Sequence, residues 1–308
     1  MMGVRPRLLP FALALCTLLA LPRPAAAYFR SVTTATPANP LYWPSSCETV
    51  TIYLNGFTDM TSDEVAKSIG AAAAAWGPDQ VTCPSVTGDG GNGSPYFQII
   101  PQLSTGGSVP GAAIDHKNSI IFQTTNFDEG TEVLAFTSVT KEPSGQIIDA
   151  DIEINAVPGA TPLGNLDPGS PPPQNGQFRV DLQTLMTHEF GHFLGLAHTC
   201  IAPYGGDIGD TPPPGTPSCN GAAPEALAAV MYPIIETESI AKRVLAADDA
   251  AGVCAIYPPK LDPHSCAQNT PDDGCGCAEA GSGSGAGPGA ALLALALVLP
   301  GLCRRPRR

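Results

Sequence analysis

The sequence predicts a mixed α+β domain in the central part of the chain. The chain has 308 residues, 43% of them apolar, which is enough apolar material for a buried core. Runs of β-favouring residues surround one clear helix between residues 50 and 155, and a second helix follows them. Glycine and proline, at 33 residues each, predict long irregular connections and exclude a helical bundle.

The strands and the first helix are predicted from local signals. Thr61 and Glu64 form a capping box that opens a helix, which continues to Trp76 and ends at Gly77 and Pro78. Residues 147–155 alternate apolar and polar side chains, which predicts a strand with one buried face and one acidic face. The β-favouring runs together are residues 50–54, 96–100, 119–123, 133–140 and 147–155.

The N-terminal end has the layout of a secretory signal peptide. Arg5 and Arg7 precede the apolar residues 8–21, and Ala25, Ala26 and Ala27 form a small-residue cleavage site. The alternative, a retained membrane helix, is disfavoured because the apolar run is shorter than the roughly 20 residues needed to span a bilayer. We therefore predict an exported protein with a signal peptide at residues 1–27 and a short N-terminal segment at residues 28–46.

The C-terminal end predicts attachment to the cell surface. A Cys/Gly/Ser-rich linker at residues 261–289 leads into an apolar segment and an arginine tail at residues 290–308. With Cys275 and Cys277 before it, this arrangement resembles the C-terminal sorting signal of myxobacterial surface proteins. The resemblance implies a cell-surface (outer-membrane) protein, an extracellular one being the alternative, with the tail as its contact to the membrane.

Cysteine usage and charge narrow the class of protein further. The formal net charge of −13 disfavours nucleic acid as a partner, because an acidic surface repels phosphates. An even number of cysteines in an exported domain predicts up to three disulfides. We favour Cys47 with Cys83, and leave open whether Cys200 pairs with Cys219 or either pairs with Cys254. The alternative, a zinc ribbon, is disfavoured by the cysteine spacing. The cysteines concerned are Cys47, Cys83, Cys200, Cys219, Cys254 and Cys266.

The second helix carries a metal-binding pattern, H-E-F-G-H-F-L-G-L-A-H, at residues 188–198. His188 and His192 are four residues apart and therefore lie on one face of a helix. Gly195 can adopt the positive φ that ends a helix and brings His198 to the same ion as a third ligand. Three imidazoles leave a position for water, whose pKa zinc lowers while Glu189 accepts its proton. The pattern predicts a hydrolytic site with Glu189 as the catalytic residue.

A methionine turn is expected downstream of such a pattern, and Val230, Met231, Tyr232 and Pro233 supply it. Met231 is expected to lie beneath the metal as an apolar floor, not as a ligand. The remaining histidines, His116 and His264, have no partner at ligand spacing and are predicted to be surface residues, whereas Trp76 is predicted to lie in the core.

The order of these parts resembles a metzincin zinc metallopeptidase, and within that group a matrixin. The resemblance implies a matrixin-like peptidase domain at residues 47–260, with a twisted five-stranded, mostly parallel sheet, one antiparallel edge strand and three helices. Residues 134–137 would be the edge strand, and Leu134 and Ala135 would bind an extended peptide through their backbone.

Some positions depart from the family. In animal matrixins a propeptide cysteine blocks the zinc and keeps the enzyme inactive. Residues 28–46 hold no cysteine, so we do not expect this form of inhibition here. Phe136 and Glu153 stand where the family has ligands of a second zinc, so we expect one zinc ion. Asp151 and Asn155 match positions that help to hold calcium, which makes calcium a second candidate metal.

We therefore predict a monomeric zinc endopeptidase that acts on a protein or peptide substrate. The alternative is a non-catalytic, zinc-holding surface protein or adhesin. Glu189 favours the enzyme, because a purely structural site has no use for a carboxylate beside an open coordination position.

Overall fold

The computed structural model describes residues 28–84, 93–106, 109–110, 114–130, 132–167, 177–202 and 213–264. All of them belong to one compact unit of the chain. The predicted signal peptide, most of the linker and the apolar tail lie outside the described residues, and their boundaries remain predictions. Within the described part, no helix has the length and apolarity needed to cross a membrane.

The described residues form nine strands and four α-helices, together with the short 3₁₀ segments Ala241–Arg243 and Pro259–Leu261. In chain order the elements are β1 (Phe29–Arg30), β2 (Cys47–Tyr53), α1 (Ser62–Ala75), β3 (Gln98–Leu103), β4 (Ser119–Gln123), β5 (Ala135–Lys141), β6 (Ile147–Asn155), β7 (Leu163–Gly164), β8 (Val180–Asp181), α2 (Leu182–Phe193), β9 (Leu196–Ala197), α3 (Pro224–Ala228) and α4 (Ala247–Ile256).

The predicted five-stranded mixed sheet is present, in the order β3-β2-β4-β6-β5. The first four strands are parallel, and β5 is the antiparallel edge strand. Strands β4 and β6 have the predicted bounds, whereas β3 continues past the predicted end at residue 100. Strand β3 pairs with β2 as far as Leu103 and therefore includes Pro101. A proline is tolerated at this position because β3 is an edge strand of the sheet.

The predicted helices are present, together with the short helix α3, which the sequence did not predict. Helix α1 begins with the predicted capping box. Its small residues Ala72 and Ala73 are part of the hydrophobic core. Helices α1 and α2 pack against each other and against the sheet. Trp76 is buried as predicted, and its indole N–H donates to the Thr187 carbonyl of α2 at 2.8 Å. The first helix and the sheet thus support the helix that carries the histidines.

The predicted acidic face of β6 is present, but it is itself covered, so both faces of the strand are largely buried. Asp149, Asp151 and Asn155 are all less than 5% exposed. Ser119, the first residue of β4, lies beside this face, and its backbone N–H donates to Asp151 Oδ1 at 3.0 Å. Burial, followed by the negative charge of Asp149, raises the pKa of Asp151 to about 7.

This raised pKa predicts a pH dependence that Asp151→Asn should remove. A carboxyl whose pKa is higher in the folded than in the unfolded state stabilises the fold below its unfolded pKa, about 3.9, and loses that contribution as pH rises through about 7. We therefore expect D151N to gain stability relative to the parent between pH 4 and pH 8, measured by denaturant unfolding. Asp59→Asn, at an exposed position, is the control. Parallel pH profiles for the parent and D151N would contradict this account of Asp151.

The disulfides differ from the favoured pairing. Cys83 is bonded to Cys254, so the predicted Cys47–Cys83 bond is wrong, and Cys47 is disulfide-bonded elsewhere. Of the pairings left open, Cys200–Cys219 is present. Cys83 lies after α1 and Cys254 lies in α4, so the first bond joins parts of the chain 171 residues apart. Sequence order gives no signal for such a pair.

We expect peptide mapping without reduction to link the peptides that carry Cys83 and Cys254. The double variant C83A/C254A should lose about 2–5 kcal/mol of unfolding free energy, because the bond restricts the unfolded chain over a long loop. C200A/C219A, which opens a loop of 19 residues, should lose less. Free thiols at Cys83 and Cys254 in the folded protein would refute the pairing.

Candidate metal centre

Three histidines converge at the end of α2. The Nε2 atom of His192 lies 3.2 Å from that of His188 and 3.1 Å from that of His198, and the remaining Nε2 pair is 3.2 Å apart. His188 is buried, whereas the other two are half-buried. The structure therefore brings the three predicted ligand residues together in a group that could hold a metal ion.

The spacing of these nitrogens fits zinc. Nitrogens about 2.0–2.1 Å from a tetrahedral zinc ion are about 3.3 Å from one another, close to the separations seen here. Three nitrogen donors are also the protein ligand set of several catalytic zinc sites, in which the fourth position takes water or substrate.

Hydrogen bonds at the other ring nitrogen hold the imidazoles of His188 and His192 in place. The Nδ1 atom of His188 lies 2.7 Å from the Val230 carbonyl, and that of His192 lies 3.0 Å from the Leu196 carbonyl. A carbonyl can only accept, so Nδ1 carries the proton and the Nε2 lone pair is directed to the shared centre. Burial and the two neighbouring histidines lower the pKa of His188 well below its usual value, which keeps this ring neutral and able to ligate.

Gly195 makes the predicted turn after the helix. Its φ is +95°, and a Cβ at this position would lie 2.9 Å from the Leu41 carbonyl oxygen, so both conformation and space require glycine. The last carbonyls of α2 are satisfied by buried aromatic side chains. The Trp43 indole donates to Phe193 O at 2.8 Å, and the Tyr257 hydroxyl donates to Leu194 O at 2.9 Å. The turn that delivers His198 is thus held by tertiary contacts.

Met231 lies against the helix at the level of the histidines. It is buried, and a Cβ on Gly191 would collide with its sulfur, so the methionine packs directly on the helix backbone. Asp249, fully buried in α4, accepts from the backbone N–H groups of Val230 at 2.8 Å and Met231 at 3.2 Å. Since the Val230 carbonyl also orients His188, the Asp249 carboxylate supports the group of three histidines through this turn.

Glu189 is buried beside the histidines, with 4% of its surface exposed. The hydroxyl of Thr137 in β5 donates to its Oε2 atom at 2.6 Å. Leu134 precedes β5 and Ala135 begins it, and both are half-buried. Among the described strands, β5 pairs with β6 alone, so its other edge is available to an added strand.

An ion pair anchors the start of α2. Asp181 caps the helix by accepting from Thr184 N–H at 2.8 Å, and its Oδ2 atom accepts from Arg243 Nε at 2.8 Å. Burial by itself would raise the pKa of Asp181, but Arg243 and the backbone donors of Leu166 and Thr184 outweigh burial and lower it. The segment that follows the methionine turn is thereby tied to the N-cap residue of the helix.

The other residues named from the sequence lie as follows. Phe136 and Glu153 are cross-strand partners in β5 and β6, and Glu153 accepts a hydrogen bond from Gln123. Asn155 donates to the Val133 carbonyl at 2.9 Å. His116 and His264 are exposed, as predicted. Sequence reasoning missed the contact of Thr137 with Glu189 and that of Arg243 with Asp181, because these partners are distant in the chain.

No protein-family model matches the chain, and no curated protein sequence matches it. Among solved structures, the chain resembles that of myroilysin, with 15% sequence identity over 70% of this chain and 95% of that chain and a TM-score of 0.32.

Proposed function

We propose that this protein is a zinc-dependent endopeptidase of the matrixin type. The observation that carries the proposal is the triangle of His188, His192 and His198 Nε2 atoms beside the buried carboxylate of Glu189. A structural zinc site needs a fourth protein ligand, whereas three histidines beside a carboxylate match a hydrolytic centre.

Zinc held by the three histidines would supply a Lewis acid that polarises water and the substrate carbonyl. Glu189 acts as the general base: its carboxylate takes a proton from the attacking water and delivers it to the nitrogen of the leaving amine. The peptide lies along the outer edge of β5 beside Leu134 and Ala135. The Leu134 carbonyl accepts from Asn155 N–H of β6, so the backbone of Ala135 is the part that faces outward and pairs with an extended substrate. Such pairing orients the scissile bond and accepts many sequences, as expected for a protein or peptide substrate.

Export and surface attachment complete the proposal. The signal-like residues 1–27 support export, and the disulfides Cys83–Cys254 and Cys200–Cys219 are typical of proteins in oxidising compartments. The arginine-tailed segment at residues 290–308 supports attachment at the cell surface. We propose that the peptidase acts there as a monomer.

Hydrolysis of an unfolded protein with and without metal tests the function. We expect the purified chain to bind one zinc ion, to cleave denatured casein, to lose that activity on treatment with a chelator and to regain it when zinc is restored. Stoichiometric zinc binding without cleavage of any unfolded protein would refute the peptidase and favour the adhesin alternative.

A further inference from the structure

We propose that Thr137 is a positioning residue for the reaction: its hydroxyl holds the Glu189 carboxylate in the orientation that proton transfer requires. The inference rests on the proposed function and adds to it a residue from the sheet. Glu189 comes from α2 and Thr137 from β5, so the contact joins the helix that carries the histidines to the strand that is proposed to bind the peptide.

The contact has the geometry of a charge-assisted hydrogen bond. The distance from Thr137 Oγ1 to Glu189 Oε2 is 2.6 Å, within the range for a hydroxyl donating to a carboxylate. Both side chains are buried, at 6% and 4% exposure, so water competes little for either group. The same hydroxyl oxygen lies 3.4 Å from the Glu189 backbone carbonyl, which places it directly against this residue of the helix.

The donor is more rigid than the acceptor. Thr137 is the one buried residue of β5. Its cross-strand partner in β6 is Ile152, a side chain with no exposed surface. A β-branched side chain has few rotamers available, whereas a glutamate can rotate about three side-chain bonds. The hydroxyl therefore limits the orientations of the carboxylate, which is the preorganisation that general-base catalysis needs.

The position of Thr137 also relates the base to the substrate. Ala135 lies two residues earlier on the same strand, where we propose that the peptide backbone pairs. Strand β5 would thus position both the scissile peptide bond and one oxygen of the Glu189 carboxylate. The distance between the peptide bond and the carboxylate then depends on this one strand. A buried threonine that served stability alone would affect unfolding but not turnover, and this difference can be measured.

The first test separates turnover from binding. Thr137→Val keeps the shape of the side chain and removes the donor, so we expect kcat for a peptide substrate to fall by about tenfold with KM changed by less than about twofold and zinc content unchanged. Thr137→Ser keeps the hydroxyl and should restore kcat to within about threefold of the parent. Thr33→Val is the matched control, because Thr33 is also buried and hydrogen-bonded, to the Asn39 N–H, but lies outside the site.

The outcomes separate this inference from the proposed function. If the parent cleaves peptides, E189Q does not, and T137V retains the parental kcat, the inference is wrong while the proposed function stands. A fall in kcat that T137S fails to restore also overturns it. If the parent cleaves nothing, the proposed function fails, and the contact itself is then judged by the thermal measurement below.

Thermal unfolding supplies a readout that does not depend on catalysis. We expect T137V to lower Tm by about 5 °C, because it leaves a buried carboxylate without this donor. In the Glu189→Ala background, which has no carboxylate, the same substitution should lower Tm by less than half as much. Equal shifts in both backgrounds would show that the hydroxyl and the carboxylate are not coupled and would overturn the inference. Thr137→Ala serves in place of T137V if the valine variant does not fold.

Discussion

We expect Glu189→Gln to lower the rate of peptide hydrolysis by at least about a hundredfold while the protein keeps its zinc and its fold. Glutamine has the size of glutamate but cannot accept a proton from water near neutral pH. Its amide oxygen can still accept the hydrogen bond from Thr137, so the side chain should remain in place. The loss therefore reports the chemical role of the carboxylate and not a collapse of the site.

The measurement compares the initial rate of casein hydrolysis, the zinc content and the Tm of E189Q with those of the parent. Chelation should abolish activity in the parent and change little in the variant, since the variant has little activity to lose. If E189Q cleaved casein at the parental rate with its zinc in place, Glu189 would not be the general base.

The parts of the fold that were predicted from the sequence depend on signals close together in the chain. Strands β4 and β6 follow from runs of β-favouring residues, and α1 follows from the capping box at Thr61 and Glu64. The three histidines lie within one helix and the turn after it, so their convergence could be predicted from helix geometry and from the glycine at residue 195.

The parts that were not predicted depend on contacts between distant segments. Thr137 and Glu189 are 52 residues apart, and Arg243 and Asp181 are 62 apart. The pairing of Cys83 with Cys254 spans 171 residues, whereas the wrong prediction chose a nearer partner. The buried polar face of β6 was missed for the same kind of reason, since alternation shows which residues share a face but not what covers it.

Among the proposed metal ligands, His192 gives the most direct test of the zinc site. We expect His192→Ala to bind zinc at least about a hundredfold more weakly than the parent, because loss of a ligand should cost at least as much as loss of a residue that merely supports one. Only two of the three imidazoles would remain. The variant should therefore purify with far less zinc and hydrolyse no casein, and added zinc should restore little activity.

Two variants separate loss of a ligand from general damage. His116→Ala removes an exposed histidine outside the triangle and should keep the parental zinc content and activity. E189Q should keep zinc without activity, so that the two losses have different origins. Metal analysis of the purified proteins decides the matter: if H192A carried as much zinc as the parent, His192 would not be a ligand, and the triangle of Nε2 atoms would need another explanation.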